Sequence, residues 1–229
     1  MNGFIPIIAS IAISLPLLIF GSHSDVKKRS INSFTFLPIF ILALAFYILD
    51  KDVVMSIVTI LSTVAVFIKP NIYVYIVLPL IIIGIGFFDT INLLTILIVG
   101  MFLLTGFGEL LFGIGDIKGI VSVVLLFSSI PRFNNYIPFS IVFVFFIAVA
   151  SGGALLYFVV YARLNGLKLR GLNVLYDEHE YLRNTIKYQL KDTNSGKVMI
   201  YRVPFLVPIL VSTVLSLIAQ LIIYASIHT

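Results

Sequence analysis

The sequence predicts an all-α polytopic membrane protein, and three observations carry that expectation. Hydrophobic residues make up 60% of the 229-residue chain. The mean hydropathy is +1.15. Long apolar runs recur from one end of the chain to the other, which a single anchor on a soluble body would not require. Charged residues are 11% of the total, against about a quarter in an ordinary soluble domain.

The first run is 3–21. No basic stretch precedes it, and no small-residue cleavage site precedes the charged segment at 25–29, so it reads as a retained helix rather than a signal peptide. Seven more spans are expected at 33–49, 52–68, 72–88, 90–106, 117–130, 136–161 and 203–226. A crossing helix needs about 20 apolar residues, with roughly 17 as the lower limit. The three runs between 52 and 106 are short, with connections of a few residues. A six-span arrangement, with two of the short runs re-entrant or merged, keeps the same parity.

Charge sets the orientation. With the N-terminus outside, all but Lys51 and Arg132 of the 15 Lys and Arg residues fall on inner segments, as the positive-inside rule requires. Both termini then lie outside the cytoplasmic membrane. The net charge of +5 follows from this bias. The expected surroundings are a lipid bilayer, not nucleic acid.

Residues 162–202 are the one sizeable polar piece. They divide the chain into a membrane core (1–161), a cytoplasmic segment (162–202) and a last helix (203–229). "NGLKLRG" and "DTNSGK" carry turn signals. "DEHEYLRNTIKYQLK" between them predicts a short amphipathic helix, with Tyr181, Ile186 and Leu190 among its apolar positions. The segment is expected to lie on the membrane surface.

Two of the seven aspartates stand apart. Asp25 follows the first run in "FGSHSDVKKRSI", and Asp116 opens the sixth in "GIGDIKG". Four expected spans separate them, and an even number returns the chain to the same face. Ionisable residues at membrane depth are costly and mark functional candidates. The bland alternative is two interfacial carboxylates paired with Lys27, Lys28 and Lys118. Gly113 and Gly115 favour the sharper reading, because a stretch without side chains beside Asp116 lets an extended peptide approach. "GIGFFD" at 84–89 places its aspartate too late and on the outer face. "GFGE" at 106–109 offers Glu109 as a neighbour of the site or a substitute for Asp116.

Two carboxylates held a few ångströms apart share one proton and titrate as a unit. The ionised member takes a proton from water while the protonated member donates to a scissile carbonyl. This chemistry uses no metal and no cofactor. The chain has no Cys, no P-loop and no HExxH, and its histidines are scattered.

"GIGD" matches the GxGD motif of membrane aspartyl proteases. "DVKKRSI" at 25–31 is similar to the segment after the first aspartate of type IV prepilin peptidases, and "VPFLVPIL" at 203–210 to the proline-containing start of their last helix. Together these resemble the archaeal preflagellin and prepilin peptidases. The resemblance implies that Asp25 and Asp116 are the catalytic pair, with Gly113 and Gly115 as motif glycines and Pro204 in the helix facing the site. It implies substrates with short, basic leader peptides ahead of a hydrophobic helix, cut at the cytoplasmic face. The interval between the aspartates is longer than the family usually shows, by about one helical hairpin. Bacterial members commonly carry a cysteine-rich domain and methylate the new N-terminus. This chain has neither the cysteines nor a methyl-donor site, so peptidase activity alone is expected.

Glu109, Asp177, Glu178 and Glu180 are the candidates for contact with the leader's basic residues. Two other readings stay open. One is a presenilin-like or signal-peptide-peptidase-like protease cutting within the membrane. The other is a small ion-coupled transporter using the two aspartates at broken helices.

Overall fold

The computed structural model describes residues 5–28, 32, 34–68, 72–105, 114–133, 136–170, 173–185, 188–193, 196–201 and 204–228. A helix falls on each of the eight apolar runs: α1 (Ile5–Lys28), α2 (Leu37–Leu49), α3 (Val53–Phe67), α4 (Ile72–Gly86), α5 (Leu93–Thr105), α6 (Ile114–Ser128), α7 (Phe139–Leu164) and α9 (Leu206–His228). Three of the described helices, Ile5–Lys28, Phe139–Leu164 and Leu206–Ser226, are long and apolar enough to cross a membrane. The helices from α2 to α5 are apolar but shorter. The chain is a mainly helical membrane protein.

The architecture is a wheel. α1, α2, α3, α5, α7 and α9 pack side by side in that cyclic order, and every one of them also packs against α6. α4 lies outside the ring against α3 and α5. Burial marks α6 as the hub. From Ile117 to Ser128 each residue is buried, so this helix has no face left for lipid. A helix that is apolar all round belongs in a core. Its 15 residues span about 22 Å, and enclosure by six helices frees it from matching the bilayer by itself.

Glycine and hydroxyl residues allow the tight packing. A Cβ on Gly100 of α5 would lie 2.5 Å from Ile83 Cγ1 and 3.4 Å from the Pro79 carbonyl of α4, so that hairpin closes only on a glycine. Ser14, Thr59, Ser212 and Thr213 donate to carbonyls four residues earlier in their own helices, at 2.6 to 2.7 Å. Hydroxyls of this kind can be buried because each helix supplies its own acceptor.

The two ends of the bundle are distinct. At one end Asn92 Nδ2 donates to Asp52 Oδ2 at 3.1 Å and to Asp89 Oδ2 at 2.8 Å, joining the α2–α3 and α4–α5 connections. Asp52 caps α3 by accepting from the Met55 N–H. Gln220 of α9 donates to the Ile137 carbonyl at this same end, just before α7. At the other end α1 finishes, α6 begins, α7 finishes and α9 begins.

The polar segment is a correction to the sequence reading. Only α8 (Glu178–Arg183) of the expected amphipathic helix is helical, and Tyr188–Thr193 is a strand. Four strands form an antiparallel sheet in the order β1 (Leu169–Arg170), β2 (Asn173–Leu175), β4 (Gly196–Tyr201) and β3 (Tyr188–Thr193). The turn signal in "DTNSGK" marks the β3–β4 hairpin. Val174, Tyr188 and Met199 are buried against Phe158 and Ala162 of α7. At 26 residues, α7 extends about 39 Å, longer than a hydrocarbon core of about 30 Å. Its last turns become the floor of the cap.

Candidate functional site

Asp25 is not beyond the first helix, as the sequence suggests, but inside its last turns. It is buried, at 8% exposure. Its Oδ2 accepts a hydrogen bond of 3.2 Å from the backbone N–H of Leu206, the first residue of α9. One turn back, Ser22 Oγ donates to the carbonyl of the same Leu206 at 2.9 Å. α1 therefore grips the amino end of α9 through both backbone groups of one residue. The first N–H groups of a helix have no partner within it, and the Asp25 carboxylate supplies one.

The Leu206 side chain carries the contact on to α6. A Cβ on Gly21 would lie 3.0 Å from Leu206 Cδ1, and a Cβ on Gly119 would lie 3.1 Å from Leu206 Cδ2. The tip of Phe36 closes the same space, 3.7 Å and 3.5 Å from those two positions. Leu206 is thus wedged between two glycines, one on each aspartate-bearing helix.

Helical spacing then positions the acids. Asp25 is four residues after Gly21, and Asp116 three before Gly119, so each shares a face with its glycine. α1 runs towards this end of the bundle and α6 runs away from it. Each aspartate lies about one turn, 5.4 Å, beyond its glycine towards the same end. Asp25 and Asp116 consequently lie at the same end of the bundle, the end that carries the cap. Asp116 is half-buried in the first turn of α6.

Gly115 behaves unlike Gly119. A Cβ there would meet no described atom within 4 Å. Packing among the described residues does not demand a glycine at 115. Pro204 precedes α9, and its carbonyl accepts from the Val207 N–H at 3.2 Å. Gly113 and Glu109 lie outside the described residues.

Two acids of the cap, Asp177 and Glu180, have structural partners. Asp177 caps α8 through the Glu180 N–H at 3.0 Å. Glu180 Oε1 accepts from the Tyr188 hydroxyl and from Asn184 Nδ2, each at 3.0 Å. Glu178 is exposed.

Sequence reasoning missed Leu206, Gly21 and Gly119, and it named Lys118 only as a partner for the carboxylates. Lys118 is buried at 5% exposure, with its Nζ 4.6 Å from the centre of the Phe67 ring. Phe34 stacks on Phe67, and Phe40 meets it edge-on. The bland alternative in the sequence paired Lys118 with the nearby carboxylates. Two residues along a helix turn a side chain away from its neighbour, and Lys118 faces α3. A glycine one turn from each acid was the available signal for the Leu206 wedge.

Compared with models of known families, with curated proteins and with solved structures, the chain matches none.

Proposed function

We propose that the chain is a GxGD-type membrane aspartyl endopeptidase, which removes short basic leader peptides from archaeal preflagellin- or prepilin-like proteins at the cytoplasmic face. The observation that carries this reading is the wedge of Leu206 between Gly21 and Gly119, one on each aspartate-bearing helix, with Asp25 held by the Leu206 N–H. In this reading all eight helices traverse the bilayer or its core, the termini are outside, and the cap is cytoplasmic. The motifs "GIGD", "DVKKRSI" and "VPFLVPIL" supply the family resemblance.

The chemistry is general acid–base hydrolysis. The ionised aspartate takes a proton from water as the water oxygen bonds to the scissile carbonyl carbon. The protonated aspartate gives its proton to the carbonyl oxygen. In the second step the C–N bond breaks, and the leaving nitrogen receives the proton held by the first aspartate. A hydroxyl of the intermediate returns a proton to the second. One water is consumed, and the pair recovers its single shared proton.

The position of the pair favours a bond just outside the bilayer core over one at mid-depth. Six helices enclose α6, and the acids lie at the mouth of that ring. This weakens the presenilin-like reading. The transporter reading is weakened by α6 itself, where Ile117–Ser128 contains one charge, Lys118, followed by a run whose polar members are Ser122 and Ser128.

The test is incubation of the purified protein with a substrate carrying a basic leader and a hydrophobic helix. Leader removal, seen as a mobility shift and by mass, supports the reading. An intact substrate with folded wild-type protein, across a series of such leaders, removes it.

A further inference from the structure

The cap's sheet has two unequal edges. β1, at one edge, is two residues long. β3, at the other, is six, and among the described residues it pairs only with β4. Six residues of strand extend about 20 Å. Every second residue of such an edge turns its backbone N–H and C=O away from the sheet, where they can pair with another extended chain.

Burial across the sheet points the same way. Val174 of β2, Met199 of β4 and Leu190 of β3 stand opposite one another in register, so their side chains form one row on one face. Val174 and Met199 are packed against α7 at 0% exposure, while Leu190 is 38% exposed. The apolar row is covered at its centre and left open at the β3 edge. A further strand beside β3 would set a side chain next to Leu190 and take apolar surface out of water.

The strand also has a direction relative to the acids. Its first residue, Tyr188, is opposite Tyr201, the last residue of β4. Five residues beyond Tyr201 is Leu206, whose N–H holds Asp25, a reach of at most about 18 Å. α8 adjoins the Tyr188 end, because Glu180 accepts from the Tyr188 hydroxyl, and it carries the exposed Glu178. A chain lying antiparallel to β3 therefore leaves the sheet at Tyr188, beside the acids of α8 and at the end of β4 that leads into α9.

We propose that the open edge of β3 is the leader-binding site: the leader adds to the sheet as a fifth strand, antiparallel to β3, and the hydrophobic helix behind it continues towards Asp25 and Asp116. The proposal rests on the peptidase reading and adds to it how the substrate is held. Backbone pairing supplies the affinity, Leu190 a place for one apolar side chain, and α8 the charge contact. Lys191 and Asp192 of β3 are charges of the kind that keep edge strands from pairing with a second copy of their own chain.

Two measurements on one leader-bearing substrate test the proposal. In the first, single leader residues are N-methylated, sparing those beside the scissile bond. Each change deletes one backbone donor and leaves every side chain and charge in place. With the wild-type protein, KM should rise about 3- to 10-fold at every second position, the effect of one lost hydrogen bond, with little change at the positions between and a steady kcat. In the second, Leu190→Cys and Lys191→Cys, each in the otherwise cysteine-free chain, are oxidised in the presence of substrates carrying one cysteine in the leader. Leu190→Cys should cross-link best at leader positions of one parity and Lys191→Cys at those of the other, because neighbouring strand residues face opposite sides. Either a KM that follows no alternation or cross-links that show no parity overturns the proposal. A disulfide-linked dimer of Leu190→Cys in place of the substrate conjugate would assign the edge to a second copy of the chain and overturns it as well. The first measurement needs no variant, so it decides the matter if a cysteine variant does not fold. Cross-linking needs no cleavage, so conjugates of alternating parity on an uncut substrate would keep the docking and remove the peptidase reading. Cleavage without alternation would do the reverse.

Discussion

Leu206 and Gly119 touch so closely that a Cβ on the glycine would lie 3.1 Å from Leu206 Cδ2. Ile209 Cδ1 stands 3.3 Å from the same point, so a larger side chain has nowhere to go without moving α9. Gly119→Val is expected to destabilise the protein by about 1–3 kcal/mol, the usual range for overpacking a filled core. Gly115→Ala, one turn earlier where a Cβ would meet no described atom within 4 Å, should change stability by less than about 1 kcal/mol. Thermal unfolding of both variants in detergent checks the contrast. Equal losses would mean that the two glycines do not differ in packing.

Asp52 and Asn92 provide a second, independent joint at the far end of the bundle. Asp52 accepts from both Asn92 Nδ2 and the Met55 N–H. Asp52→Ala should cost about 1–2 kcal/mol from the lost helix cap alone. A double-mutant cycle with Asn92→Ala should give a further coupling of about 1 kcal/mol. Both variants should keep the wild-type KM, because the acids lie at the opposite end.

Within the cap, Asp177 and Glu180 hold α8 and the start of β3 together. Asp177→Ala and Glu180→Ala should therefore each lower stability, by about 1 kcal/mol. Glu178 is exposed and has no such task among the described residues of the cap, so Glu178→Gln should leave stability unchanged. If the "DEHE" cluster meets basic leaders, Glu178→Gln raises KM at low salt without changing kcat, and the effect shrinks as salt screens it. An unchanged KM at low salt would take Glu178 out of substrate binding.

Much of this arrangement is legible in the sequence, for identifiable reasons. Apolar runs longer than any soluble helix needs reveal where the helices lie. Parity then puts Asp25 and Asp116 at one end, an inference that uses only the number of crossings. The hub position of α6 is not legible in the same way. Its run of Val, Leu and Phe after Lys118 looks like any other span, and only packing distinguishes a helix surrounded by six others. The cap was misread because "EYLRNTIKYQLK" fits both a helical and a strand period over so short a length. Its pairing partners, 173–175 and 196–201, are distant along the chain. Leu206 was missed because a leucine at the start of an apolar helix carries no signal. Its meaning comes from Gly21 and Gly119, which lie on other helices.

The sidedness rests on charge alone and has a direct check. The chain contains no cysteine, so single cysteines report without background. Leu182 is exposed in the cap, and Thr90 is exposed in the α4–α5 connection. Leu182→Cys should react with a membrane-impermeant thiol reagent only after the membrane is opened, and Thr90→Cys in intact cells. The reverse pattern would put both acids on the outer face, away from cytoplasmic leaders.

Cleavage by single-site variants of the two acids probes the proposed chemistry most directly. Purified Asp25→Asn, Asp116→Asn and Glu109→Gln proteins, each shown to unfold at a temperature close to wild type, are incubated with the same leader-bearing substrate. Neither member of an acid–base pair works alone, so both asparagine variants should lose cleavage by several orders of magnitude, while Glu109→Gln keeps a substantial part of it. Full activity in either asparagine variant, or activity in Asp116→Asn with none in Glu109→Gln, would contradict the assignment of Asp25 and Asp116 as the catalytic pair.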